Sequence, residues 1–513
     1  MADLPHALAD RRTMSAVHDP SWVQRTEHVL RPDSDRVISR IFLPGQEVAQ
    51  KGESRATAIL ERVLVLDEAE VSHQLTALRA RFDSRHRDLP ATWQAHFAMM
   101  EHRIAGAGRL SVDQRDLIGA YFTQEFSIES AALFNPSMVE HPDQSGLPAD
   151  STRFLMTLRA VGEGHISSIE FRTGVISGAN MITFDPLPEF SVLPEASTVT
   201  YSRVSFEQQL NEIGGDQTNS DFVLDALPEQ FSRRDLDRAL DELREQRLTR
   251  GSAVRTIERF EWIAACSYAI EFAAATPLQE RVIMPRSPDE THGIEDVRLV
   301  RFEMEDESSC YLGTYTAYNG RNIASHLLAT TDFARFTVTQ MTGPGSLNKG
   351  MALFPRRIGD TYFALSRADR ESNGITCSDD LHHWDEPVLI QTPLESWEIV
   401  QLGNCGSPIE TAAGWLVLTH GVGPMRQYSI GALLLDLENP NLVIGQLTTP
   451  ILTPSPDERS GYVPNVVYTC GGMLHGRQLV LPYGCSDTVT RIALIDLDQL
   501  LHALLAEPTK EAS

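Results

Sequence analysis

This sequence predicts a mainly β fold assembled from repeated strand–turn units, with one helical unit ahead of it and another inserted within it. Three observations carry the prediction. From Phe134 onward the chain breaks into short β-rich runs, such as TRFLMTLRAV and HISSIEFRTGVI, separated by Gly, Pro and Asp. Within that texture a unit recurs: HLLATTDFARFTV and GITCSDDLHHWDEP each place a strand, then Ser/Thr-(Thr/Asp)-Asp, then an aromatic at the same offset. Two other stretches repeat apolar residues at three- and four-residue spacing, the signature of amphipathic helices.

Taken in order, residues 1–130 form an extension that reads as mostly helical, because RATAILERVLVLDEAEVSHQLTALRARF and QAHFAMMEHRIAGAGRL carry the helical period with charges between the apolar positions. Residues 131–204 hold the first β part. Helical periodicity returns over 205–277 in SRRDLDRALDELREQRL and AVRTIERFEWIAACSYAIEFAAA, read as an insertion. The β texture resumes over 278–505, and DLDQLLHALLAE closes the chain as a helix. Repeated sheets this small are unstable alone and stack on their neighbours, as propeller blades do around an axis; hairpins of a sandwich are the alternative at this level.

Composition narrows the function classes. A chain of 513 residues, 42% hydrophobic and 22% charged, is long enough for several structural units around a large core. It has no apolar run near the roughly 18 residues of a membrane helix, so no membrane role is expected. Its first twenty residues show no apolar stretch after the arginines, and a cytoplasmic location is the default expectation. Six scattered cysteines without a CxxC pair suggest reduced, mostly buried thiols and no metal site. A formal charge of −26 repels nucleic acid, and it demands that any anion site be built from a local cluster of arginine and lysine.

The most informative stretch is GIEDVRLVRF, residues 293–302, which sets two adjacent carboxylates, Glu295 and Asp296, and Arg298 just before a strand. Alone, such a pair also fits a solvated turn. Together with FNPSMV, TLRAV, NKGMALFPRRIGDTYFALSR, GWLVLTHGV, YSIGALLLDLENP, GYVPNVVY and YGCSDTVTRIA, in that order, it resembles glycoside hydrolase family 130, the β-mannoside phosphorylases and β-mannosidases. The resemblance implies a five-bladed β-propeller with a central funnel and an inverting mechanism. It also implies a catalytic acid at Asp296, acting through a substrate hydroxyl. It places Arg159 and Arg367 at a phosphate site, with His420 and Tyr428 beside them. Asp487 is implied in sugar recognition and Asn135 at the same mouth.

Inverting cleavage by phosphate needs one acid for the leaving oxygen, because the nucleophile arrives already anionic; cleavage by water needs a second carboxylate as base. The expected reaction is therefore conversion of a β-mannoside oligosaccharide and inorganic phosphate to α-mannose 1-phosphate and a shortened acceptor, with no cofactor or metal. An inverting β-mannosidase with Glu398 or Glu410 as base is the alternative, and a non-catalytic carbohydrate-binding propeller a second one. Three departures stand out from the family's pattern: Gln401 where phosphorylases commonly carry lysine, Val297 for Pro, and Gly350 for Asp. Lys349 and Arg321 are candidates to supply the charge missing at Gln401. Glu295 and Arg298 are candidate sugar contacts, as is His165 in GEGHISS, although a lone histidine between strands is more often structural. Trp384, Trp397 and Trp415 are read as core. The helical units are candidates for capping the funnel or for a homo-oligomer interface.

Overall fold

The computed structural model describes residues 19–44, 48–49, 53–214, 216–247 and 251–506. The protein is mainly β with two helical units, and its antiparallel strands fall into successive groups along the chain. The first runs Ala132–Glu140, Thr152–Val161, Ser167–Ile176 and Ile182–Phe184. The second runs Gly293–Glu303, Ser309–Tyr318, Ile323–Thr330 and Arg335–Gln340. These two belong to one eleven-stranded sheet, joined by a parallel pairing of Gly293 with Ser167. A third group spans Ala352–Leu353 to Val388–Gln391, and a fourth Gln401–Asn404 to Val443–Gln446. The fifth contains Val467–Tyr468, Gln478–Cys485 and Val489–Asp496.

The recurring unit seen in the sequence is one turn used twice. Thr330 Oγ1 accepts from Phe333 N while Asp332 Oδ1 accepts from Ala334 N and Arg335 N. Ser378 Oγ and Asp380 Oδ1 do the same for Leu381 N and for His382 N and His383 N. Phe333 and Leu381 both take positive φ, a cost the short side-chain caps offset. The aromatics that follow, Phe336 and Trp384, are fully buried. Trp415 is buried too, and the Trp397 ring lies against Gly421 and Gly431, where a Cβ would come within 2.5–2.6 Å of it, so all three tryptophans serve packing.

Neighbouring groups are tied by hydrogen bonds, and the last returns to the first. Ser137 Oγ accepts from Leu299 N at 3.1 Å between the first and second. Glu303 N donates to Pro355 O between the second and third, and Leu402 N to Glu371 O between the third and fourth. Tyr428 N donates to Asn465 O between the fourth and fifth, and Cys470 N to Pro136 O between the fifth and first.

Two findings depart from the expected segmentation. Within the extension 1–130, Val23–Leu30 is a strand that pairs antiparallel with Val489–Asp496, and Val37–Ile41 pairs with Thr123–Ser127. Arg25 anchors the first of these by ion pairs to Asp19 and to the fully buried Glu458. A buried network of Arg36 and Arg172 with Glu129 and Glu170, at 2.5–3.1 Å, then fixes the following segment to the first strand group. On the other side of the insertion, Tyr268–Glu271 pairs with Arg335–Gln340 and with Glu195–Ser197, so residues on both sides of the helices extend the second group's outer edge.

The helices form where the periodicity places them. Arg55–Leu64, Glu68–Phe82, Leu89–Met100 and Val112–Tyr121 start on Ser54, Asp67, Asp88 and Ser111, whose side chains accept from the first-turn amides. They bury Leu60, Leu75, Trp93, Phe97 and Leu117 together. In the insertion, Arg203–Ile213, Gln217–Asp225, Arg233–Arg247 and Gly251–Cys266 enclose a separate core around Phe206, Leu240 and Phe260.

Candidate active site

The groups bring their inner ends to a cavity of about 220 Å³, and nine of the twelve candidate site residues line it. Asn135 and Arg159 reach it from the first group, Asp296 and Arg298 from the second, Lys349 and Arg367 from the third. His420 and Tyr428 reach it from the fourth, and Asp487 from the fifth.

Local backbone explains how two of them are presented. The pairing of Gly293–Glu303 with Ser309–Tyr318 slips between Glu295 and Arg298, and that of Ala132–Glu140 with Thr152–Val161 slips between Phe134 and Ser137. Asp296 and Asn135 sit in these two bulges with φ of 59° and 49°, conformations that Asn and Asp tolerate better than most residues. The bulges turn both side chains inward, and Asn135 Nδ2 donates to Asp296 Oδ1 at 2.8 Å. Asp487 is presented by another left-handed pair, Ser486 and Asp487, with φ of 48° and 49°. Strained backbone at three polar residues of one cavity is a recurrent mark of functional sites.

Around Asp296 the charges are paired. Arg159 donates to Glu295 Oε1 at 2.8 Å and to Asp296 Oδ1 at 3.3 Å, and Lys349 pairs with Glu295. Burial pushes the Asp296 carboxyl up, but Arg159, the Asn135 hydrogen bond, Lys349 and Arg298 together hold it below the ordinary aspartate value. Asp487 goes the other way. Burial and the neighbouring charge of Asp296 raise it to about 6, with Arg159 and Arg426 opposing. Two carboxyls in one cavity thus have their ionisations pushed apart, the pattern of sites that use them differently.

On the other flank, cations lack carboxylate partners. Arg298, 5% exposed, donates to Asn404 and to Tyr468 Oη, the latter at 2.7 Å. Arg367 Nη1 donates to His420 Nε2 at 3.1 Å, and its Nε is buried without a hydrogen-bond partner among the described residues. His420 Nδ1 faces Asn404 O at 3.3 Å, which fixes the proton there and leaves Nε2 as the acceptor. Burial and then the two arginines depress the imidazole well below its usual range, so it is neutral. Burial also lowers Arg367, with Arg298 adding to the effect. Among the described residues no carboxylate pairs with either arginine.

Some expectations are not met at the cavity. His165 is exposed on the turn 163–165, where Gly164 and His165 both take positive φ; its ring lies 5.7 Å from that of Tyr462 and does not line the cavity. Arg321 lies exposed in the turn 319–322 and does not line the cavity. Glu295 acts one layer back, as the acceptor that holds Arg159 and Lys349. Neither alternative base is there: Glu410 forms a two-point pair with Arg356, and Glu398 is fully buried, accepting from Leu394 N and Glu395 N. Sequence reasoning passed over Asn404, Tyr468 and Arg426. Tyr468 is the last residue of the quoted GYVPNVVY segment, Asn404 stands three residues after Gln401, and Arg426 stands two residues before Tyr428.

The cavity thus places two carboxyls, Asp296 and Asp487, beside an arginine pair that has no carboxylate in ion-pair contact among the described residues, in a space large enough for a sugar ring. Comparison with known proteins gives the chain's relatives. The family model for glycoside hydrolase family 130, described as beta-1,4-mannooligosaccharide phosphorylase, matches residues 269–506. A 1,2-beta-oligomannan phosphorylase of Thermoanaerobacter sp. is 31% identical over 228 residues, 44% of this chain and 75% of that protein. A beta-1,2-mannobiose phosphorylase of Listeria innocua is 30% identical over 265 residues, 49% of this chain and 72% of that one. The solved Listeria innocua beta-1,2-mannobiose phosphorylase complex aligns with a TM-score of 0.45 and 21% identity over 74% of this chain and 94% of that chain. This chain belongs to glycoside hydrolase family 130.

Proposed function

We propose that the protein is an inverting phosphorylase of β-mannosides, with the β-1,2 linkage named for its relatives as the first to test. The observation that carries the reading is the Arg298–Arg367 pair, buried beside Asp296 and without a carboxylate partner among the described residues. A protein of net charge −26 that keeps two guanidiniums in its cavity with no carboxylate in ion-pair contact among the described residues holds them for an anion. His420 and Tyr428, their rings 5.9 Å apart and parallel, wall the same flank.

In this reading hydrogen phosphate attacks the anomeric carbon from the face opposite the leaving oxygen. The glycosidic C–O bond breaks, and the leaving oxygen takes a proton that Asp296 supplies directly or through a sugar hydroxyl. The phosphate's own proton then returns to Asp296, so no external base is needed. Asp296 is ionised in the free site; binding a dianion close by raises its affinity for a proton, which arms it as an acid only in the complex. Arg159 and Asn135 aim it. The architecture we propose is a five-bladed propeller. The ring of hydrogen bonds from the first strand group to the fifth and back supports it, as does a cavity reached by residues of all five.

The hydrolytic alternative is disfavoured by the positions of Glu398 and Glu410, neither of which lines the cavity. Turnover of β-1,2-mannobiose measured with and without phosphate tests the proposal. Mannose 1-phosphate formed only with phosphate is expected, whereas free mannose at an unchanged rate without phosphate would overturn it. Asp296→Asn should lose at least about 1,000-fold in kcat while still binding the disaccharide; undiminished turnover would remove Asp296 from its role.

A further inference from the structure

How the anion site acquires its charge can be read from Gly350, and this step rests on the phosphorylase reading. Gly350 lines the cavity with φ of +106°, and its carbonyl accepts from Asn404 Nδ2 at 2.8 Å. A Cβ at this position would lie 3.4 Å from Arg367 Cβ, and 3.5 and 3.9 Å from the two terminal nitrogens of Arg298. Any side chain here would therefore grow into the space between the two arginines. A carboxylate here would meet Arg298 directly and neutralise it. On the same flank Gln401, which lines the cavity with its Nε2 3.5 Å from Tyr428 Oη, brings no charge.

We infer that the missing side chain at Gly350 sets the charge of the anion site: it leaves Arg298 and Arg367 uncompensated and so makes good the cation that Gln401 does not supply. Two neutral residues, Gly350 and Gln401, then give the flank the same net charge as a carboxylate and a lysine would. The charge is carried by a buried arginine pair that Asn404, Tyr468 and His420 orient without cancelling it. A fixed fork geometry suits a tetrahedral oxyanion better than a mobile ammonium does.

The test is a mutational cycle read in phosphate KM with β-1,2-mannobiose as the other substrate. Gly350→Asp and Gly350→Asn are near-isosteric and share whatever strain the positive φ imposes, so their ratio isolates charge. Gly350→Asp is expected to have a phosphate KM at least about 100-fold above that of Gly350→Asn, from one added charge within about 5 Å of the anion at an effective dielectric of about 20. Adding Gln401→Lys to Gly350→Asp should recover about 10-fold or more. Equal KM values for the Asp and Asn variants, or no recovery by lysine, would overturn the inference while leaving the phosphorylase reading intact. Wild-type turnover that ignores phosphate would overturn both. Gln401→Lys alone needs no change at the strained position and provides a second readout: its drop in phosphate KM should be smaller, by about 3-fold or more, than the drop the same lysine gives in the Gly350→Asp background, and anything short of that difference would refute the compensation.

Discussion

Replacing Arg367 by Met should separate function from stability in opposite directions. The stem of Arg367 packs beside Gly403, where a Cβ would lie 2.8 Å from its Cδ, and Met keeps most of that volume. What the substitution removes is a guanidinium whose only described hydrogen-bond partner is a neutral imidazole, whose Nε is buried without one, and whose charged form burial already disfavours. In the free protein the loss should therefore cost nothing or stabilise the fold by up to about 1–2 kcal/mol, the usual outcome when a strained site is relieved. For the bound anion the sign reverses. One charge pair at about 4 Å and an effective dielectric of about 20 is worth about 4 kcal/mol before solvent compensates, so phosphate KM should rise about 100- to 1,000-fold. Thermal unfolding with and without phosphate reads both effects. Wild type at a phosphate concentration 100 times Kd should gain about 2.7 kcal/mol, seen as a raised Tm, and the variant at the same concentration almost none. A variant clearly less stable than wild type without phosphate, yet retaining the full phosphate shift, would refute the assignment of Arg367 as an uncompensated anion-binding charge.

Other expectations follow from the same geometry. Asp487 is held protonated to about pH 6 in the folded protein, whereas the unfolded chain releases that proton near pH 3.8, so the folded form binds the extra proton between those values and stability falls as pH rises through the window. Asp487→Asn should therefore raise Tm at pH 7–8 and leave it nearly unchanged at pH 4; an equal shift at both would contradict the raised carboxyl. Arg25→Ala would remove the nearer of the two cations, Arg25 and Arg491, that pair with the fully buried Glu458 and loosen the strand that closes the fifth group, at a cost of up to about 3 kcal/mol by denaturant titration, less where Arg491, Tyr483 Oη and Ser455 N still satisfy the carboxylate. His165→Ala should change kcat/KM by less than about 2-fold, since the ring is exposed and does not line the cavity; a 10-fold loss would return it to the site.

Much of the site was legible in linear sequence because its parts sit on short motifs whose order along the chain is also their order around the cavity. The ordered motifs that resemble glycoside hydrolase family 130 are what implied Asp296, Arg159 and Arg367, while the requirement for local cations in an acidic protein gave a reason to look for inward-pointing basic residues. What sequence left open depended on direction. His165 and Arg321 carry suitable chemistry, but turns with positive φ or solvent-facing geometry aim them elsewhere, and a one-dimensional pattern does not encode that aim. Tyr468 and Asn404 escaped notice because they act by orienting Arg298, a role that appears only when strands far apart in sequence meet.

The sequence by itself determined the mainly β character and both helical units, because period and turn residues are local properties of the chain, and the carboxylate–arginine chemistry entered through the ordered motifs that resemble the family. The tertiary structure alone decided that Val23–Leu30 pairs with Val489–Asp496, since strand pairing across such a separation is set by which edge is left open. It alone decided which cations are neutralised and which are free. Arg159 and Lys349 have carboxylates within reach, whereas Arg298 and Arg367 face Asn404, Tyr468, His420 and the bare Cα of Gly350, and the charge left for an anion follows from that difference in company.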